Sequence, residues 1–308
     1  MSLLRSTFIA LSGNSRLRRF AEQSTLGRRM SARFVAGFRI EDAMSAARIL
    51  AAQGLATTLD SLGENITSAS QARQAAQRYH WLLDALAQSK LNANVSVKLT
   101  QMGMDLSPDL AFEIVSGLVG HAAKDGHFVR VDMEGSALTQ PTIDLVRRLH
   151  SVPEHRGRVG IVIQAYLRRS ADDIAALLSD GIRIRLCKGA YQEPPAVAFP
   201  DKKDVDNNFV ALMKTLLTSG IFHGIATHDE AMIAATKDFA RAQRIDPASF
   251  EFQMLYGVRR DLQRSLVREG YGVRVYVPFG EEWYPYFMRR LAERPANVLF
   301  LARNFFRK

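Results

Sequence analysis

The sequence predicts a (β/α)8 barrel of the TIM type, an α/β fold with an N-terminal helical extension and a last helix lying over the barrel mouth. Three observations carry that prediction. Strand-like and helical runs alternate without a break from residue 56 to residue 294. There are eight of each, and eight is a number of parallel strands that closes a barrel. Neither the G-x-G-x-x-G turn of a doubly wound sheet nor a P-loop occurs.

Taken in order, residues 1–53 form the extension and 54–308 the barrel. Within the extension, 41–53 reads as an Ala-rich amphipathic helix. The strand-like runs follow at 56–60, 94–99, 128–133, 160–165, 182–187, 222–227, 249–254 and 272–277. Helical patterns fill the intervals near 69–89, 107–124, 139–150, 170–180, 204–219, 229–242, 258–269 and 284–294. Ser107 before Pro108 predicts an N-cap with proline in the first turn, and Ser170 with Asp173 predicts a capping box.

Composition sets the outer limits. The 308 residues are 47% hydrophobic and 23% charged, ordinary for a globular protein and within the size of a one-domain barrel. Cys187 is the single cysteine, which excludes an intramolecular disulfide and points to a reducing compartment. No run of about 18 apolar residues is present to span a membrane. The net charge of +10 points to anionic partners without choosing among phosphates, nucleic acid, acidic lipid and carboxylate substrates. The first 34 residues carry seven arginines against one acid, Glu22. That composition suits a mitochondrial transit peptide, a membrane-surface helix or a basic helix packed on the barrel, and it lacks a secretory cleavage pattern.

Side chains alternate faces along a strand, so each barrel strand has an inner and an outer parity. One parity is apolar, as in Val129/Val131, Ile184/Leu186, Phe250/Phe252 and Val273/Val275, and is expected to face the helices. The other reads Ser96/Lys98, Arg130/Asp132, Arg183/Arg185/Cys187, Glu251/Gln253/Leu255 and Arg274/Tyr276. Buried charges need partners, so something anionic should face Arg183 and Arg185. Arg130, Arg183, Glu251 and Arg274, lower in the strands, are expected to form a structural ion-pair network. Lys98, Asp132, Arg185, Gln253 and Tyr276 fall at or near carboxyl ends, the face on which barrel enzymes hold their active sites. Gln164 is also strand-terminal, and a buried amide there needs several hydrogen-bond partners.

The connection 188–203 carries prolines 194, 195 and 200, and its length suits a lid. Gly189 at its start permits close backbone approach to a ligand. In the last helical run, adjacent Arg289 and Arg290 suit a carboxylate or phosphate. The alternative there is a solvated face with Arg289 and Glu293 paired one turn apart.

Eight motifs, in order, resemble the proline dehydrogenase family of flavin-dependent barrels, over residues 60–303. They are Ser96-Val97-Lys98-Leu99, Val131-Asp132-Met133-Glu134, Ile163-Gln164-Ala165-Tyr166 and Arg185-Leu186-Cys187-Lys188-Gly189-Ala190-Tyr191. They continue with Ala226-Thr227-His228, Glu251-Phe252-Gln253-Met254-Leu255-Tyr256-Gly257, Val275-Tyr276-Val277-Pro278 and Tyr286-Phe287-Met288-Arg289-Arg290-Leu291. Each is weak alone, and the ordered set is specific.

The resemblance implies oxidation of L-proline to Δ1-pyrroline-5-carboxylate by hydride transfer to FAD, with a membrane quinone as electron acceptor. It implies that Arg289, Arg290 and Lys98 clamp the substrate carboxylate while Tyr276, Tyr286 and Leu255 pack its ring. Arg185 would lie at the flavin N5 edge and Asp132 would orient Lys98, the two forming the catalytic pair. Met133, Gln164, Cys187, Lys188, Gly189, Thr227, His228 and Gln253 would line the FAD, and Glu64 would gate the site by pairing with Arg289. No metal is implied. Tyr276 implies proline over hydroxyproline, and Cys187 departs from the valine frequent at its position. The chain resembles the monofunctional form rather than the fused proline-utilisation enzyme. A cytoplasmic location is expected, peripheral to the inner face of a bacterial plasma membrane or on the mitochondrial matrix side, with the basic N-terminus contacting lipid.

Two other classes compete. A lyase barrel would use Lys98 as a Schiff-base nucleophile, trappable by borohydride and free of flavin. A non-enzymatic anion- or nucleic-acid-binding barrel would show salt-sensitive binding indifferent to Asp132. The strand-end clustering of the basic residues disfavours nucleic acid, which calls for an aromatic-interleaved surface stripe.

Overall fold

The computed structural model describes residues 24, 27, 31–63 and 66–293. Its eight strands are β1 (Ala56–Ser61), β2 (Ala93–Val97), β3 (Val129–Val131), β4 (Val159–Gln164), β5 (Arg183–Cys187), β6 (His223–Ala226), β7 (Phe250–Leu255) and β8 (Gly272–Phe279). They form one closed barrel in sequence order, every pair parallel, and β8 returns to β1 with Arg274 opposite Ala56. All eight predicted strands are present.

Helix α1 (Ile40–Ala51) precedes the barrel. The connecting helices are α2 (Ala69–Ala87), α3 (Pro108–Lys124), α4 (Thr139–Ser151), α5 (Ser170–Ser179), α6 (Lys202–Leu217), α7 (Glu230–Ala242) and α8 (Arg260–Arg268), and α9 (Tyr284–Glu293) follows β8. Ser107 caps α3 as predicted, accepting from the Leu110 amide at 3.3 Å with Pro108 in the first turn. The predicted capping box at Ser170 is not formed. Ser170 is already inside α5, its hydroxyl donates back to Gln164 and Leu167 carbonyls, and Asp173 is taken by Arg169 at 2.8 Å.

The main core lies between the barrel's outer faces and the helices. Val95, Val97, Val129, Val131, Ile161, Ile184, Leu186, Phe252 and Val275 are fully buried there, which is the parity expected to face outward. Helix α1 joins this core through Ala43, Met44, Ala46, Ala47 and Leu50, packed on β8 and β1. In a regular barrel that groove receives the helix after the last strand. Met44 and Leu50 each gain roughly 1.5–3 kcal/mol on burial, which holds α1 in the wall.

With its usual place filled, α9 takes another. Trp283, Tyr284, Tyr286, Phe287 and Met288 form a separate apolar cluster with Phe34, Val35 and Leu62. Leu62 follows β1 and the cluster's neighbour Val258 follows β7, so α9 lies at the carboxyl ends of the strands, over the mouth. The segment before α1 crosses the same end, its Ala36 amide donating to the Pro278 carbonyl at 2.9 Å.

The long connection runs from Lys188 to the start of α6 at Lys202 and is tied down at two places. The Glu193 carboxylate accepts from the Ser136 amide at 2.7 Å and hydroxyl at 2.5 Å. Ala198 forms a β-bridge with Leu167, and the Phe199 amide donates to the Tyr166 carbonyl at 2.8 Å.

Candidate active site

The inner parity brings four groups together at the mouth. Lys98 lies just past β2 and places its Nζ 2.9 Å from Asp60 Oδ2 and 3.5 Å from Asp132 Oδ2. The Tyr276 hydroxyl lies 2.7 Å from that Asp60 oxygen and 2.8 Å from that Asp132 oxygen. Its single proton serves one carboxylate at a time, while its oxygen accepts from Lys98 at 3.4 Å. Asp60 is completely buried, and its other oxygen accepts from the Tyr79 hydroxyl at 3.1 Å.

The electrostatics follow from this packing. Burial pulls the Lys98 ammonium down, but Asp60 and Asp132 outweigh it and raise it above the usual amine range. Burial pushes the Asp132 carboxyl up, and Lys98 and Arg185 more than reverse that, leaving it below the ordinary carboxylate range. Burial, then Asp132 and Asp60, raise the Tyr276 phenol well above its usual value. Near neutral pH the site therefore holds an ammonium, an Asp132 carboxylate and a neutral phenol.

Arg185 joins the cluster from β5. Its NH1 donates to Asp132 Oδ1 at 2.9 Å and to Ser96 Oγ at 3.3 Å, and its guanidinium lies 5.3 Å over the Tyr276 ring. Its Nε donates to Gln253 Oε1 at 2.5 Å. Gln253 in turn donates to Glu251 at 2.7 Å, and Glu251 accepts from Arg274 Nε at 2.7 Å. A continuous polar chain thus descends from the mouth into the barrel. Gly224 makes room for it, since a Cβ there would sit 2.3 Å from Gln253 Nε2.

The lower network differs from expectation. Arg274 pairs with Glu251, but Arg130 and Arg183 have no carboxylate at ion-pair distance among the described residues. Arg130 donates to the carbonyls of Ile161 and Arg183, and both guanidinium groups lie over aromatic rings. The reason is numerical: three arginines meet one acid in that part of the interior.

Above Lys98 a cavity of about 230 Å³ is lined by Ile66, Lys98, Thr100, Asp105, Glu134, Tyr191 and Arg289. Lys98 and Arg289, 191 positions apart (289 − 98), thus share one wall-bounded space. Glu134 accepts from the Thr100 amide at 3.1 Å and hydroxyl at 2.6 Å, and burial pushes its carboxyl up. Arg290 is not among the lining residues; it lies 5.2 Å over the ring of Tyr286, which is buried in the cluster under α9.

The remaining predicted residues ring the mouth. Gln164 ends β4, 3% exposed, with an Oε1 that has no hydrogen-bond partner among the described residues. Cys187 ends β5 half-buried, and the Lys188 ammonium is held by Asp206 and, at 2.7 Å, by Asp229. Thr227 Oγ1 accepts from the Asp229 amide at 3.1 Å, and His228 Nε2 accepts from the amide of Leu255 at 2.8 Å. Met133 is buried in the main core. Gly189 has φ +105°, and a Cβ would meet the Tyr166 ring at 2.2 Å, so a packed side chain demands the glycine. Glu64 lies outside the described residues.

Asp60, Thr100, Glu134 and Tyr191 were not singled out by the sequence reading. Asp60 alone had a usable signal: an acid on the inner parity of β1, beside a strand carrying a lysine.

Comparison with known proteins gives one answer. The family profile described as proline dehydrogenase matches residues 43–303. Proline dehydrogenase 1 of Bacillus subtilis is 42% identical over 99% of this chain and 100% of its own length. The proline dehydrogenase of Deinococcus radiodurans is 42% identical, covering 88% of each chain. Among solved structures, proline utilization A (PutA) from Bdellovibrio bacteriovorus, inactivated by N-propargylglycine, superposes with a TM-score of 0.82 at 26% identity. That match covers 91% of this chain and 34% of the PutA chain, so this chain spans about a third of that protein. With a profile match over most of its length and full-length relatives at 42% identity, the chain belongs to the proline dehydrogenase family.

Proposed function

We propose that this chain oxidises L-proline to Δ1-pyrroline-5-carboxylate, a reaction for which FAD would supply the two-electron acceptor and a quinone the onward one. The observation that carries the reading is the shared cavity of Lys98 and Arg289, backed by Tyr276, Asp60 and Asp132. Its volume of about 230 Å³ is below the roughly 300–1,000 Å³ of drug-sized ligand sites and suits a small amino acid.

The residues present fit a flavin. Gln164 offers a buried acceptor oxygen that has no donor among the described residues, which suits the N–H edge of a ring. Arg185, Cys187, Lys188, Gly189, Thr227, His228 and Gln253, with Met133, would hold it around the mouth. When bound, FAD supplies the two-electron acceptor that no side chain provides.

The side chains supply orientation and charge. Lys98 and Arg289 grip the substrate carboxylate from two sides, with Arg290 beside them, and Tyr276, Tyr286 and Leu255 pack the ring. The hydride leaves the ring carbon next to nitrogen as the amine lone pair forms the C=N bond, so the amine must arrive unprotonated. Arg185 would place fixed positive charge beside a bound FAD, and Asp132 holds both Arg185 and Lys98 in position. Asp132 already accepts from several donors, so it acts as an anchor and deprotonation is left to solvent. Activity accordingly rises with pH.

The lyase alternative needs a neutral Lys98, whereas two carboxylates hold it protonated. Among the described residues no helix is long and apolar enough to cross a membrane. Membrane contact through residues 1–34, most of which lie outside the described residues, is tested by sedimenting full-length and 35–308 chains with acidic-lipid vesicles.

The decisive experiment is an absorption spectrum before and after anaerobic L-proline. An oxidised-flavin band near ~450 nm that bleaches is expected. A colourless protein that FAD does not reconstitute would overturn the reading.

A further inference from the structure

The end of the barrel opposite the mouth holds charge that the proposed reaction does not use. Arg130 on β3 and Arg183 on β5 flank Gly160 in one layer, Arg130 in register with Gly160 and Gly160 with Arg183. Arg130 is 2% exposed; its NH1 donates to the carbonyls of Ile161 at 3.0 Å and Arg183 at 2.6 Å, and its buried Nε has no partner among the described residues. Arg183 is partly exposed and makes one long bond, from Nε to the Phe222 carbonyl at 3.4 Å. Phe128 carries Arg130 at 4.7 Å and Arg183 at 4.6 Å from its ring centre, and Phe222 carries Arg183 at 4.7 Å.

The charges facing these two arginines do not balance. Glu251 is the nearby acid, and it is bonded to Arg274 and Gln253. Arg158 adds positive charge beside Arg183, and Arg185, which also bears on Arg130, is satisfied by Asp132. His223, buried next to Arg130, is kept neutral by burial and by that guanidinium. Arg130, Arg183 and Arg274 therefore share one carboxylate. Carbonyls and ring faces offset part of the desolvation of a guanidinium, yet buried charges are as a rule paired.

We propose that this end of the barrel binds a small monatomic anion of the chloride class, held by Arg130 Nε and the guanidinium of Arg183 and reached from solvent past Arg183. Arginine N–H donors suit an anion. Arg130 is 2% exposed, and so enclosed a guanidinium edge favours one atom over a tetrahedral oxyanion.

The test uses the purified full chain in sodium chloride and in sodium gluconate at equal ionic strength. A saturable rise in melting temperature of roughly 2–4 °C in chloride is expected. Broadening of the chlorine-35 resonance should accompany it, and both should be lost in Arg183→Gln. Crystals soaked in bromide should show an anomalous peak within reach of Arg130 and Arg183, a readout that stands even if the variant fails to fold. Equal melting temperatures in the two salts, an unchanged chloride effect in Arg183→Gln, stabilisation by phosphate alone, or bromide only at other places would each overturn the proposal.

Discussion

Asp132→Asn tests the reasoning at the mouth most directly. The carboxylate meets donors on both sides: Arg185 and Ser96 at Oδ1, Tyr276 and Lys98 at Oδ2. Asparagine keeps one acceptor oxygen, but its NH2 must face either the guanidinium or the ammonium, neither of which accepts. Arg185 is 6% exposed and, among the described residues, has no other acid within ion-pair distance. Removing one partner of a buried pair costs about 3–5 kcal/mol. Because asparagine retains one acceptor and the Asp132 side chain is 13% exposed, the lower end, about 3 kcal/mol, is expected. Urea unfolding of Asp132→Asn, Arg185→Met and the double variant measures it. The double variant should lose less than the sum of the singles, by about 1–3 kcal/mol. Turnover in Asp132→Asn should fall by roughly 100-fold, about 2.7 kcal/mol of barrel-mouth preorganisation. Additivity within about 0.5 kcal/mol would refute the claim that Asp132 is what makes a buried Arg185 tolerable.

Three further outcomes follow from the geometry. Arg289→Met should raise KM for proline by roughly 10–100-fold through loss of one charge-assisted grip, with flavin content unchanged; flavin loss would contradict the clamp role. Gly224→Ala should destabilise by about 1–3 kcal/mol, since its Cβ would displace Gln253 and cut the chain from Arg185 to Glu251, and an equally stable variant would refute that. Burial and Arg130 pull the His223 imidazole down to about 3. The unfolded chain therefore takes up that proton first as pH falls, so the contribution is complete above the usual value of about 6.5 and is lost at about 1.4 kcal/mol per pH unit on the way down. His223→Gln should flatten urea midpoints between about pH 6.5 and 5 relative to the parent, and parallel slopes would rule this out.

The fold was legible because its signal is periodic. Outer-face runs such as Val129-Arg130-Val131 and Ile184-Arg185-Leu186 alternate apolar with polar, which fixes both the strand and its inward side. The alternation located Lys98, Asp132, Arg185 and Tyr276 at one end before their contacts were known. What it left out is which inward charge meets which. Arg183 and Arg185 look alike in sequence, yet one finds Asp132 and the other only ring faces and a carbonyl, because the partner comes from across the barrel rather than from the next strand. Ser170 misled for a related reason: the Asp173 carboxylate that a capping box requires is claimed by Arg169, and side-chain competition leaves no trace in spacing. Glu134 was illegible as a site member because it is defined by its bonds to Thr100 on another element; Asp60 had its inward parity to mark it, but not its partners Tyr79 and Lys98.

Helix α1 has a consequence for how the molecule is made. It is synthesised before any strand, yet it packs partly on β8, and β1 also pairs with β8; 217 positions separate Thr57 from Arg274. At about 5–20 residues per second, translation of that interval lasts roughly 10–40 s. Throughout it, α1 lacks its packing against β8, and the first strand has an open edge. The barrel's last closure is thus a meeting of its earliest and latest translated parts, and the nascent chain presents an apolar helix and a free strand edge to chaperones until β8 emerges.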